Sequence, residues 1–198
     1  LFYGSSHILY EPLGLVLIIS PWNFPFHLSF APLVGALAAG NCCIIKPSEL
    51  APASSALIAE IINTNFPEGY VRVIEGGHEV TASLMKNRFD HVFFTGSTNN
   101  GREIYKLAAE NLTPVTMELG GKCPCIVHED AAMDIAVRRI VWGKFLNSGQ
   151  TCLAPDYLLV QKTIKDKLVA ALRETIEQFY GKEPLQNAEW PRMINRRH

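Results

Sequence analysis

The chain has the composition of an ordinary globular protein: 198 residues, 48% hydrophobic and 19% charged, with a formal net charge of −1. The hydrophobic content excludes a disordered tail, and the small net charge offers no electrostatic basis for binding nucleic acid. No apolar run reaches the ~18 residues of a membrane span. The five cysteines form no C-x-x-C pair, so we expect no metal site, free thiols and a cytoplasmic location.

Strands and helices alternate along the first part of the chain. Short apolar runs rich in branched residues predict strands buried on both faces at 14–20, 41–48, 70–76 and 91–96. Helical spacing, supported by a capping Gly40, an initial Pro52 and a Ser-Thr-Asn start, predicts helices at 28–40, 52–66, 79–87 and 97–112. This alternation implies βαβ units with right-handed crossovers, and therefore a Rossmann-like parallel sheet of the α/β class.

The pattern changes at 119–122, where Gly120 and Gly121 could form a hinge. The later part predicts strands at 125–130 and 156–161, a helix at 131–146 and an amphipathic helix at 164–180. We therefore expect one domain over residues 1–119 and the start of a second α/β domain over residues 120–198.

A ligand-binding position is predicted where the strand at 91–96 runs into Gly96 and a helix begins at Ser97. Open α/β sheets bind ligands at the carboxyl ends of strands, and free N–H groups at a helix start suit a pyrophosphate. The G-x-x-x-x-G spacing from Gly96 to Gly101 is neither a P-loop nor G-x-G-x-x-G. Alone, it fits a capped helix after a strand equally well.

Lys46 and Glu49, in "KPSE", form a second candidate. Pro47 keeps the end of the preceding strand extended, so Lys46 could donate to ribose hydroxyls and Glu49 could accept from them. An acidic residue near the adenine ribose favours a 2′-OH over a 2′-phosphate, and so NAD over NADP. The alternative is a surface Lys–Glu pair.

Asn23 lies in "PWNFP", where two prolines restrict the loop. A stiff loop can aim a side-chain amide at a developing oxyanion, a contact worth roughly 2.7–4 kcal/mol. The alternative is a rigid turn with packed aromatics, which is the better interpretation of Trp22 and Phe24.

Glu118, in "ELGG", ends a strand-like run just before two glycines. A carboxylate there could be partly desolvated, with a raised pKa, and so act as a general base near neutral pH. The alternative is an exposed carboxylate at a strand end.

Cys152, in "GQTC", is predicted to lie in a loop after a helix, preceded by small polar residues. A cysteine attacks as thiolate, and a free thiol with pKa ~8.5 is only slightly ionised at pH 7, so Cys152 would need a base or a positive field. The other four cysteines lie in or beside apolar strands and are interpreted as small core residues.

In this order, "PWNFP", "KPSE", "FTGS" with Gly101, "ELGGK" and "GQTC" closely resemble the aldehyde dehydrogenase superfamily along essentially the whole chain. The stretches "VGALAAGN", "LTPVTMELGGK" and "GQTCLAPDY" are most similar to the class 3 branch, which includes fatty and aromatic aldehyde dehydrogenases.

The resemblance implies oxidation of an aldehyde to a carboxylic acid with NAD or NADP. Cys152 matches the nucleophile that forms a thiohemiacetal and then a thioester. Asn23 matches the oxyanion donor, together with the backbone N–H of Cys152, and Glu118 matches the base that activates water. Residues 1–119 then form the NAD(P)-binding domain and 120–198 the catalytic domain. The implied cofactor-binding residues are Lys46, Glu49, Gly96, Ser97, Trp22 and Gly101.

The resemblance also has departures and open alternatives. Cys123 stands where the family usually has asparagine. A later motif, whose glutamate and phenylalanine position the nicotinamide ribose, is absent, so we expect a central fragment of a longer parent. That parent is expected to be a homodimer, with a C-terminal membrane anchor not excluded. The alternatives are a cofactor-independent thiol esterase using Cys152 and Glu118, and a truncated, non-catalytic remnant.

Overall fold

The structure is a computed structural model that describes residues 4–187 and 190–198. The chain divides into two units, Leu1–Leu119 and Gly120–His198. Within the described ranges, no helix is both long enough and apolar enough to cross a membrane.

The first unit is built around a parallel five-stranded sheet in the order β3-β2-β1-β4-β5. Its strands are β1 (Leu15–Ile19), β2 (Cys42–Lys46), β3 (Val71–Val73), β4 (His91–Thr95) and β5 (Val115–Glu118). Its helices are α1 (His27–Ala38), α2 (Pro52–Asn65), α3 (His78–Leu84) and α4 (Thr98–Glu110). The predicted parallel α/β sheet is confirmed.

Apolar side chains cover both faces of this sheet, as expected for strands linked by helical crossovers. Alternate residues of β1 point to opposite sides. On one side Val16 and Ile18 belong to a core with residues of α1 and α2, and on the other Leu17 and Ile19 belong to a core with residues of α4. Burying one such side chain contributes about 1.5–3 kcal/mol, which explains why the short apolar runs predict these strands.

β3 is shorter than the predicted 70–76. Its last residue, Val73, pairs with Ile45 of β2, and the Ile74 N–H donates to the Ile45 carbonyl at 2.9 Å. β2 then ends at Lys46, because Pro47 has no N–H to continue the ladder. Without a partner strand, β3 cannot extend further.

The second unit contains a two-stranded parallel sheet and two helices. Its elements are β6 (Cys123–Val127), α5 (Met133–Phe145), β7 (Pro155–Val160) and α6 (Lys165–Tyr180), with 3-10 turns at Leu146–Gly149, Lys162–Ile164 and Pro184–Gln186. Val127, Val137, Val141 and Leu168 form its buried core. β6 starts two residues before the predicted 125–130, because Cys123 is already paired with Pro155.

Asn41 connects the start of β1 to the end of α1. It is buried, and its Oδ1 accepts from the N–H groups of Leu13 and Gly14 at 2.7 and 3.0 Å. Its Nδ2 donates to the Ala36 carbonyl at 3.0 Å. One side chain therefore satisfies three backbone groups from two segments.

Replacing Asn41 with alanine is expected to lower the free energy of unfolding by about 3 kcal/mol, because backbone groups are left buried without partners. Urea unfolding of the native protein and the variant measures this loss. Asn87→Ala is the matched control: Asn87 is exposed, and among the described residues its side chain donates to carbonyls of its own helix end, Ser83 and Leu84. Asn87→Ala should change the free energy of unfolding by no more than about 0.5 kcal/mol. Equal losses in the two variants would contradict the proposed role of Asn41.

Candidate active site

The predicted site residues of the first unit gather at one edge of its sheet. Lys46 is the last residue of β2 and Glu118 the last of β5, while Asn23 follows β1 and Ser97 follows β4. Ile19 pairs with Lys46, and the Gly96 N–H donates to the Glu118 carbonyl at 3.0 Å. Because all these strands are parallel, the four side chains lie at the carboxyl edge, where open α/β sheets bind ligands.

The loop that carries Trp22 and Asn23 is fastened to the start of α1. Both residues are half-buried. The Phe24 carbonyl accepts from the Leu28 N–H at 2.9 Å, and the Pro25 carbonyl accepts from the Ser29 hydroxyl at 2.6 Å. The loop is thus held by hydrogen bonds to the helix as well as by its prolines. This restraint limits the positions that the Asn23 side-chain amide can take.

Lys46 is buried rather than part of a surface ion pair. Its side chain is 4% exposed, against 50% for Glu49, and the two groups are 3.5 Å apart. Its Nζ donates to the carbonyls of Pro47 and Gly76 at 2.7 and 2.9 Å. Burial lowers the pKa of Lys46, an effect that the neighbouring Glu49 carboxylate opposes. The surface-pair alternative is therefore wrong, because the ammonium is held by carbonyls from two adjacent strand ends.

The start of α4 has the features of an anion site. Ser97 caps the helix, its Oγ accepting from the Asn100 N–H at 3.3 Å. The other N–H groups of a first helical turn have no partner within the helix. A Cβ on Gly96 would lie 2.6 Å from the Phe94 ring, and one on Gly101 would lie 2.8 Å from Leu119. These two glycines therefore let strand, loop and helix approach closely.

Glu118 differs from the expectation of partial desolvation: its side chain is exposed. The physical reason is its position, since it ends β5, which is the last strand at one edge of the sheet and has a neighbour on one side only. Of the two interpretations, the structure shows the exposed carboxylate at a strand end.

Cys152 lies in a turn between α5 and β7 of the second unit and is half-buried. Cys43 is the contrasting case. Burial raises the pKa of the Cys43 thiol to about 11, with Cys42 adding to the shift, so Cys43 stays protonated near neutral pH. Cys43 thus fits the interpretation as a core residue, whereas Cys152 retains access to solvent.

The backbone just before Cys152 is unusual. Asn147 and Ser148 have φ values of 52° and 54°, and Gly149 has 76°. Non-glycine residues rarely adopt this left-handed conformation, and asparagine does so more readily than serine. Three consecutive left-handed residues are typical of a backbone held in place by its surroundings, as often occurs at functional sites.

The carbonyl of Cys152 is enclosed by the start of β6. The Cys123 thiol donates to it at 3.2 Å, and a Cβ built on Gly121 would lie 2.5 Å from the same oxygen. Cys123, the position where the sequence departs from the resemblance, therefore contacts the predicted nucleophile's own backbone.

Two features near the predicted site residues have no signal in the sequence. Gln150 bonds to backbone atoms 42 and 44 residues away, a separation that no local pattern signals. Thr95 and Thr151 are, within the described ranges, the residues whose buried hydroxyls have no hydrogen-bond partner. Each precedes a predicted site residue, Gly96 or Cys152. The same described residues contain no group of three or more His, Cys, Asp or Glu side chains able to hold a metal ion.

Comparison with curated proteins gives relatives that are considerably longer than this chain. A 4,4'-diaponeurosporen-aldehyde dehydrogenase of Staphylococcus aureus is 52% identical over 198 residues, covering 100% of this chain and 43% of that protein. Aldehyde dehydrogenase family 3 member A2 of Pongo abelii is 47% identical, covering 98% and 40%. A "dimeric NADP-preferring" aldehyde dehydrogenase of Rattus norvegicus is 48% identical, covering 95% and 42%. The chain thus spans about two fifths of the length of these relatives.

Comparison with solved structures gives the same fold. The substrate-bound state of Staphylococcus aureus AldH superposes with a TM-score of 0.87 at 52% sequence identity, covering 93% of this chain and 40% of that one. Residues 4–198 match the sequence pattern of the aldehyde dehydrogenase family. The resemblance drawn from the motifs is confirmed, including its likeness to the class 3 branch, and the chain belongs to the aldehyde dehydrogenase family.

Proposed function

We propose that the protein oxidises an aldehyde to a carboxylic acid, using NAD or NADP and a covalent intermediate on Cys152. The observation that supports this function most directly is the position of Asn23, Lys46, Ser97 and Glu118 at the carboxyl ends of four neighbouring parallel strands. Family membership supplies the reaction class, and this edge supplies the residue types that the reaction needs.

In the proposed reaction the Cys152 thiolate forms a bond to the aldehyde carbon, giving a thiohemiacetal oxyanion. The family resemblance assigns two donors to that oxygen, the Asn23 amide and the backbone N–H of Cys152. NAD or NADP, when bound, would supply the acceptor for the departing hydride, and the adduct on Cys152 would become a thioester. Glu118 takes a proton from water, which attacks the thioester carbon, breaks the C–S bond and releases the acid and the thiol. The covalent intermediate divides one difficult step into two easier ones.

Residues Leu1–Leu119 are the proposed NAD(P)-binding domain, and Gly120–His198 belong to the proposed catalytic domain. The residues present fit a dinucleotide: the first turn of α4, capped by Ser97, suits a pyrophosphate, and Gly96 and Gly101 let this turn pack closely against the sheet. Lys46 would donate to the adenosine ribose and Trp22 would line the site.

NAD is the favoured cofactor of the two, because the Glu49 carboxylate, half-exposed beside Lys46, would accept from a 2′-OH and repel a 2′-phosphate. A homodimer is proposed from the relative whose name includes "dimeric". The five thiols, which form no disulfide among the described residues, support a reducing, cytoplasmic location.

The test is an assay of the native protein with a medium-chain aldehyde and either NAD or NADP, following the absorbance of the reduced cofactor. We expect turnover that requires both cofactor and aldehyde, with the higher kcat/KM for NAD. Absence of turnover with any aldehyde, although calorimetry shows bound cofactor, would overturn the proposal. Hydrolysis of an activated ester without any cofactor binding would favour the thiol esterase, and a non-cooperative melt by circular dichroism would favour the remnant.

A further inference from the structure

A distant segment of the second unit, residues 191–194, is bonded to the loop that precedes Cys152. The bonds converge on the side-chain amide of Gln150. Its Oε1 accepts from the Ile194 N–H at 3.0 Å, and its Nε2 donates to the Arg192 carbonyl at 3.2 Å. The same Nε2 donates to the Asn147 carbonyl at 3.0 Å. Gln150 therefore joins both ends of its own loop to the distant segment, which we call the strap.

The strap has its own attachments beside the loop. Trp190, the residue just before the strap, packs edge-on against Tyr180, with ring centres 4.7 Å apart, and its ring centre is 6.3 Å from that of Phe145, the last residue of α5. Arg192 donates from Nη2 to the Leu185 carbonyl at 2.8 Å. The loop begins directly after Phe145, so the strap is anchored at the point where the loop leaves the helix.

The loop needs such support because its backbone is in a disfavoured state. Asn147, Ser148 and Gly149 are all left-handed, and conformations of this kind persist only when surrounding contacts determine them. The Ser148 hydroxyl also donates to the Pro191 carbonyl, which adds a third bond between loop and strap to the two made by Gln150. Gln150 is two residues before Cys152. A fixed loop conformation at Gln150 therefore restricts the backbone conformation at Cys152.

We propose that Gln150 is a positioning residue for Cys152: its amide fastens the loop to the strap and thereby sets the direction of the thiol and of the Cys152 N–H. This inference rests on the proposed function of Cys152. The strap then affects the reaction indirectly, through the position of Cys152.

The first test is Gln150→Ala in the native protein. We expect kcat to fall by about 10–100-fold, the cost typical of a reacting group displaced by about 1 Å, while the aldehyde KM changes by less than about threefold. Gln178→Ala is the matched control, since Gln178 is on the exposed surface of α6 and donates only to Glu174. It should leave both constants within about twofold of the native values.

A double-mutant cycle tests the strap itself. Ile194→Pro removes the N–H that donates to Gln150 Oε1 but leaves Gln150 intact. If the two groups act through one bond, their effects on kcat will be strongly non-additive, and Ile194→Pro will lower kcat little further in the Gln150→Ala background. Simple additivity of the two losses would overturn the role of the strap.

The controls separate this inference from the function that it depends on. If Cys152→Ala still oxidises aldehydes, the proposed function fails and the role of Gln150 fails with it. If Cys152→Ala is inactive but Gln150→Ala keeps kcat within about twofold, the positioning role alone is wrong. Should Gln150→Ala not fold, judged by its melting curve, Ile194→Pro decides: it removes one bond of the Gln150 amide to the strap, and an unchanged kcat would overturn the proposal.

Discussion

Replacing Cys152 with alanine is expected to lower kcat for aldehyde oxidation by about 10⁴-fold or more, as removal of a catalytic nucleophile does in other enzymes. Without the thiol no thiohemiacetal forms, and hydride would have to leave a trigonal aldehyde rather than a tetrahedral alkoxide. Cofactor affinity measured by calorimetry should change little, because the residues proposed to bind the cofactor all belong to the first unit. The two measurements together isolate the chemical step.

Cys42→Ser is the matched control for this variant. Cys42 is a half-buried thiol in β2, outside the proposed chemistry, and its replacement should leave kcat within about twofold of the native value. If Cys152→Ala kept a tenth of the native kcat, or if both variants lost activity equally, Cys152 could not be the nucleophile. Ester hydrolysis that survives in Cys152→Ala would also remove the thiol esterase alternative.

The alternation of elements in the first unit could be predicted because its signals are local. The apolar runs of β1 and β2 are continuous, since both faces of a parallel sheet are buried. Gly40, with a φ of 85°, follows the end of α1 as predicted, and Ser97 caps α4 through its hydroxyl. Each of these features depends on residues within a few positions of one another.

The length of β3 and the burial of Lys46 could not be predicted, because each depends on a residue far away in the sequence. The length of β3 is set by where β2 loses its N–H donor at Pro47. The burial of Lys46 is set by the Gly76 carbonyl, 30 residues away. Backbone carbonyls are common to every residue, so the sequence carries no mark of which carbonyl a lysine or glutamine will reach.

The sequence predicts where the candidate site residues lie in the fold, but not how exposed their side chains are. Lys46 and Glu118 end parallel strands, and Asn23 and Ser97 follow parallel strands, so the four residues share one edge. The exposure of Glu118 depends instead on strand order, because β5 is an edge strand in the order β3-β2-β1-β4-β5. Sequence adjacency does not reveal which strand lies outermost.

Replacing Gly121 with alanine is expected to lower kcat by about 10²-fold and the free energy of unfolding by about 1–3 kcal/mol. The new Cβ would lie 2.5 Å from the Cys152 carbonyl oxygen and 3.0 Å from the Cys123 Sγ. The oxygen belongs to the backbone and cannot rotate away like the end of a flexible side chain. Either the Cys152 peptide turns and loses its 3.2 Å bond from Cys123, or the start of β6 shifts.

Gly120→Ala is the adjacent control, because a Cβ there meets nothing within 4 Å. An alanine that fits the native backbone lowers the conformational entropy of the unfolded chain and so raises the free energy of unfolding by up to about 1 kcal/mol. The two substitutions should therefore change the free energy of unfolding in opposite directions. Steady-state kinetics and urea unfolding of both variants measure the contrast. If Gly120→Ala lost as much activity as Gly121→Ala, the activity would depend on the flexibility of the glycine pair rather than on close packing at Gly121. If neither variant changed kcat, close packing against the Cys152 carbonyl would have no part in orienting the thiol.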